Sequence, residues 1–151
     1  MQSDWKEVGG VQVIAIICLD EQNGMAFNHR RQSKDQEVIK DMLEESKDKL
    51  LYMNAYSYGM FKEMGASHIK VSENFLEEAG SSDFCFIENS GLLPYVPKIE
   101  KIVAYKWNRR YPTDIYLDIH LDEWKKIETK DFAGFSHERI TKEFYIKWKS
   151  F

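Results

Sequence analysis

The chain predicts an α/β domain with a mostly parallel sheet, helices on both faces and an antiparallel pair of strands at one edge. Three observations carry that expectation. Residues 13–19 are an unbroken apolar run, too short to cross a bilayer and without alternation, which is how a strand covered on both faces reads. From there to Lys106, strand-like and helix-like stretches alternate, the pattern of parallel strands joined by crossover helices. The last third differs: in 140–148, Lys142, Phe144, Ile146 and Trp148 face opposite to Thr141, Glu143, Tyr145 and Lys147. With 124–132 before it and the turn-rich 133–137 between, this gives the antiparallel pair.

Taken in order, residues 1–10 read as a loose leader, with Trp5 covering an apolar patch. The strand at 13–19 is central. Asp20 to Gly24 supplies a turn, since Asn23-Gly24 accepts positive φ cheaply. A polar run over 28–33 follows, and Ser33 with Gln36 has the form of a capping box opening a helix over 33–46. That helix carries Val38, Ile39, Met42 and Leu43 inward. Asp35 shares a face with Ile39 and Met42, so a carboxylate points at the main cleft beside apolar walls, where desolvation raises its pKa unless a cation or hydrogen-bond donors compensate.

A short strand at 49–53 precedes a helix over 55–64, with Tyr56, Met60, Phe61 and Met64 at helical spacing and Gly65 as its left-handed stop. Another strand at 68–71 leads to a helix over 72–79, capped by Ser72 and closed by Gly80. Residues 84–87 form a fully apolar strand. A helix of one or two turns is squeezed between Ser90-Gly91 and Pro97, and strands follow at 100–106 and 115–117.

At 151 residues and 43% hydrophobic content, the chain is expected to form one domain over 1–151. A net charge of -4 with interspersed signs argues against nucleic acid or a membrane as partner and leaves a small molecule. Cys18 and Cys85 fall in apolar strands and make no disulfide framework. No apolar signal segment precedes Val11, so a reducing cytoplasm is expected. The four histidines, His29, His68, His120 and His137, are scattered, which gives no metal site, and no G-x-S-x-G nucleophile motif is present.

The order of these elements and several of their residues resemble the dihydrofolate reductase family over about 11–149. Val13 to Ile16 is similar to that family's first strand, Asp20 to the aspartate after it, and Asn23-Gly24 falls in the flexible active-site loop. Asp35 falls at the acidic residue that grips the pterin, and Ile39 at an apolar substrate contact. Leu51-Tyr52-Met53 matches the second strand, Pro97-Lys98 the end of a helix, and 113–124 the approach to the final hairpin. The resemblance implies a dihydrofolate reductase-like three-layer sandwich. It also implies NADPH-dependent reduction of dihydrofolate or a related pterin or flavin-precursor substrate, as in the related reductase domains of riboflavin biosynthesis. Asp35 would then be catalytic, Ile14, Ile16, Ile39, Ile87 and Tyr105 would line the substrate half, and Ser57, Ser90 and Gly91 the cofactor half.

The departures fall on the cofactor side. The family's glycine, basic residue and threonine after the second strand are replaced by Asn54, Ala55, Tyr56 and Ser57, which removes the basic contact to the 2′-phosphate. The segment that carries an arginine for the substrate's glutamate tail is missing between Lys62 and Ser67. The glycine-rich turn reads Glu88-Asn89-Ser90-Gly91, and a carboxylate at ~4 Å from a phosphate costs about 4 kcal/mol at an effective dielectric of 20. These changes imply weak NADPH binding with little preference over NADH. They also support a second expectation, a non-catalytic binding or interaction protein that kept the fold and lost the cofactor site. Arg30 and Arg31 either face solvent or replace the missing cation.

Overall fold

A computed structural model describes residues 11–148; the leader and Trp5 lie outside the described residues. The first strand, β1 (Val13–Leu19), is interior, as its unbroken apolar run requires, and pairs in parallel on both sides. Ala15 sits opposite Cys85 of β6 (Phe84–Phe86) and opposite Ile102 of β7 (Ile99–Lys106). Beyond β6 lie β4 (Leu51–Met53) and β5 (Ile69–Val71), both parallel; beyond β7, β10 (Ile140–Lys147) and then β9 (Trp124–Phe132) run antiparallel to their neighbours. The seven-stranded order is β5-β4-β6-β1-β7-β10-β9, the mixed sheet expected from sequence.

Each face of the sheet is covered by a different core. Val13, Ala15, Ile17 and Leu19 project into one, with Ile87, Ile102 and Tyr145. Ile14 and Ile16 project into the other, where Val38, Ile39 and Met42 of α1 (Gln36–Glu45) pack with Phe86, Val103 and Tyr105. Cys85 is buried and Cys18 half-buried. Among the described residues no helix is long and apolar enough to cross a membrane.

Several boundaries differ from the sequence expectation. The N-cap of α1 is Asp35 rather than Ser33: its carboxylate accepts from the Glu37 N–H at 2.9 Å, and the Ser33 hydroxyl is engaged elsewhere. The helix expected over 55–64 is one turn, α2 (Ala55–Tyr58), capped by Asn54, then a 3₁₀ turn at Lys62–Met64. Gly59 breaks the run, as its low helix propensity favours. Gly65 does take the left-handed stop, at φ 73°. The helix expected over 72–79 shrinks to α3 (Phe75–Glu78): Ser72 accepts from Asn74 N–H in a local turn, and the Gly80 N–H is held by Asp83 instead of ending a helix in the left-handed region. The segment with Pro94 and Pro97 is a 3₁₀ helix, Leu93–Lys98.

The polar run after the first turn is not a plain loop. β2 (Gly24–Phe27) and β3 (Arg30–Arg31) form a hairpin, and β8 (Ile115–Tyr116) joins β2 to make a second, three-stranded sheet. Its turn residues Asn28 and His29 both have positive φ, 53° and 63°, as a two-residue hairpin of this twist demands. Asp20 anchors the hairpin's base, accepting from the backbone N–H groups of Gln22, Gly24 and Tyr111 and from the Thr113 hydroxyl.

β10 departs from simple amphipathicity, since Lys142 and Glu143 on its opposite faces are both buried. Each charge is paired. Lys142 Nζ lies 2.6 Å from both Asp41 and Glu45 of α1, and Glu143 meets Lys106, Lys126 and the Tyr145 hydroxyl. With α1 covering the Lys142 side, both faces of this strand are interior.

Candidate functional site

The Asp35 side chain is fully covered, at 0% exposure. Besides Glu37 N–H, it accepts from the backbone N–H groups of Phe135 and Ser136, each at 2.8 Å, from the Ser136 hydroxyl at 3.1 Å, and from His137 Nδ1 at 2.9 Å. Burial by itself pushes the carboxyl pKa up. The donors from Phe135, His137, Ser136 and Glu37 outweigh it and hold the group well below the usual carboxylate range. An acceptor-only carboxylate requires a proton on His137 Nδ1, and in the neutral imidazole Nε2 is then the acceptor. Nε2 then meets two hydroxyls, Tyr111 at 2.8 Å and Ser33 at 3.2 Å. The imidazole, 4% exposed, stacks on Trp107 with centroids 4.7 Å apart. Sequence reasoning noted His137 only as one of four scattered histidines; nothing local in 133–137 reveals that it meets Asp35.

Beside this cluster opens a cavity of about 520 Å³. Asp35 and Ile39 border it from α1, Met60 and Met64 from the opposite wall, and Phe135 from the tip of the β9–β10 hairpin. Phe135 is 74% exposed although its own N–H is pinned to Asp35. Lys34 and Glu63 are the charged side chains at the rim. Of the residues implied for the substrate half, the structure brings Asp35 and Ile39 to this cavity. Ile14, Ile16 and Tyr105 are interior, packed under α1, with the Tyr105 hydroxyl donating to Asp41 at 2.7 Å. Ile87 is interior on the other face of the sheet.

The residues implied for the cofactor half fall in two places. Ser57 is buried and donates to Glu88 at 2.8 Å. Glu88, at the end of β6, also takes both arms of the Arg31 guanidinium, at 2.8 and 3.0 Å, and that guanidinium lies over the Tyr56 ring, 4.4 Å from its centroid. Arg31 is therefore turned inward against Glu88. Ser90 and Gly91 line a second cavity of about 350 Å³, walled by Glu73 and Glu77. Just after Gly91, Asp118 accepts from the Leu92 N–H at 2.8 Å and the Leu93 N–H at 3.1 Å. A Cβ on Gly91 would collide with that same carboxylate. The backbone N–H groups just after the Ser90-Gly91 turn thus already hold an anion, and the lining of the cavity beside that turn carries acidic side chains and no basic one. These residues do not fit a dinucleotide diphosphate. Asp118 had no signal in the sequence, because its partners lie 25 and 26 residues away.

The element order and the mixed seven-stranded sheet make a dihydrofolate reductase-like fold. Among solved structures, dihydrofolate reductase from Enterococcus faecalis, complexed with NADP(H) and RAB-propyl, superposes with a TM-score of 0.64 over 91% of this chain and 97% of that one, at 11% sequence identity. No protein-family profile and no curated protein matches the sequence.

Proposed function

We propose that this protein binds a small molecule in the cavity beside Asp35 and has lost nicotinamide-dependent reduction while keeping the reductase-like fold. One observation carries the proposal: the Asp118 carboxylate sits on the Leu92 and Leu93 N–H groups and against Gly91, at the turn to which the resemblance assigns a dinucleotide's phosphates. A bound diphosphate would have to displace that carboxylate and remain beside Glu73 and Glu77. The half-buried Arg31–Glu88 pair next to Ser57 supports it, since a ring entering there would have to break a two-armed contact.

The second reading is reduction of a pterin-like or flavin-precursor substrate with NADPH, with Asp35 handling the ring. It is favoured by the fold and by the cavity bordered by Asp35 and Ile39. Tryptophan fluorescence during NADPH and NADH titration tests the two, followed by absorbance of NADPH with dihydrofolate present. The expected result is no saturable signal for either nucleotide and no oxidation. Saturable binding together with dihydrofolate-dependent oxidation that Asp35→Asn removes would establish the reductase reading instead.

A further inference from the structure

We propose that Ser33, His137 and Asp35 form a hydrolytic relay, with the Ser33 hydroxyl as nucleophile toward the carbonyl of a small ester. Two geometric requirements are met: the base is within hydrogen-bond reach of the nucleophile, at 3.2 Å, and is itself oriented by a third group, at 2.9 Å. Asp35 is a positioning residue here. It has no exposure, its lone pairs are taken by donors, and its effect is to keep the His137 proton on Nδ1 so that Nε2 faces the hydroxyls. Trp107 stacked on the imidazole holds the ring plane. Ser33 is half-buried, directly precedes Lys34 and Asp35, which border the large cavity, and lies just before the positive end of α1.

In the first half of the reaction, Ser33 Oγ forms a bond to the carbonyl carbon and its proton passes to His137 Nε2. The carbon–oxygen bond to the leaving group then breaks, and the departing alcohol takes that proton. Water next adds to the acylated Ser33 and gives its proton to Nε2. The ester to Ser33 breaks, Oγ regains a proton and the carboxylic acid leaves. Nothing beyond ester and water is consumed. Tyr111 is the second claimant on Nε2, at 2.8 Å, so in the resting protein the two hydroxyls compete for one acceptor.

The same contacts would exist if the cluster only fastened the hairpin to α1, and reactivity separates the two roles. The full chain is treated with a fluorophosphonate and the adduct mapped by mass spectrometry, with p-nitrophenyl acetate turnover followed in parallel. The expected adduct is on Ser33, with labelling and turnover falling about a hundredfold or more in His137→Gln, the scale of general-base assistance. Tyr111→Phe should label faster, because Nε2 is released to Ser33. As a check that needs no variant, the labelling rate of the unaltered chain should rise with pH and then level off. Absence of a Ser33 adduct, an adduct insensitive to His137→Gln in a folded variant, or a rate that simply tracks hydroxide would overturn the proposal.

Discussion

Asp35 Oδ2 and His137 Nδ1 lie 2.9 Å apart although 102 residues separate them in sequence. This contact, with the Phe135 and Ser136 amides beside it, fastens the start of the first helix to the tip of the last hairpin. A helix cap therefore also acts as a long-range clasp.

Acid should open that clasp. The Asp35 carboxyl has a lower pKa folded than unfolded, so its contribution is fully present above the unfolded value of about 4 and is lost as pH falls toward the depressed folded one. Urea unfolding of the unaltered chain should therefore show stability falling below about pH 4. Asp35→Asn should be less stable at pH 7 by about 2–4 kcal/mol and lose much of that acid slope. Equal slopes in the two proteins would show that other carboxylates dominate.

The Arg31–Glu88 pair should behave as a buried ion pair. Glu88 is nearly covered, with 6% side-chain exposure, so Arg31→Ala leaves it without its cation and should destabilise by about 3–5 kcal/mol. Replacing both partners, as Arg31→Met with Glu88→Leu, should recover most of that loss. Chemical denaturation of the three variants checks the pattern, and a double variant as weak as the single one would contradict it.

Gly134 sits where the hairpin passes closest to the clasp. A Cβ there would lie 2.6 Å from Asp35 Oδ2 and 2.8 Å from the backbone carbonyl of His137, which has little room to shift. Gly134→Ala is expected to cost about 1–3 kcal/mol, seen as a lower Tm.

Phe135, one residue on, should give the opposite result. Its N–H does the anchoring while the ring is in solvent, so Phe135→Ala should change stability by less than about 0.5 kcal/mol. Ligands that occupy the neighbouring cavity should nevertheless bind it more weakly, which calorimetry on any ligand found can measure.

The legibility of the sequence followed the range of the forces involved. The central position of β1, the alternation of strands and helices up to β7 and the antiparallel end were readable because each depends on a local pattern of apolar residues, whereas the short β2 and β3 carry no such pattern. Helix ends were less so: Asp35 displaced Ser33 as cap, and Gly59 divided a run whose apolar spacing looked continuous. Asp35 stood out because a carboxylate shares a face with Ile39 and Met42, and the possibility of compensating donors was clear. Which donors they are was not, since His137 and the hairpin amides come from the far end of the chain. Likewise Glu88 was visible as an unfavourable charge, but its neutralisation by Arg31 depends on a two-residue turn that reverses the chain at Asn28 and His29.

The interior place of β1 also sets the order in which the molecule can be completed. Its seven apolar residues leave the ribosome well before the strands that flank them, opposite Ala15 at Cys85 and Ile102. Until those are made, the segment has no native neighbour on either edge. Folding is thereby tied to contacts of long sequence separation, which close slowly, and nascent chains must be shielded from one another for that interval.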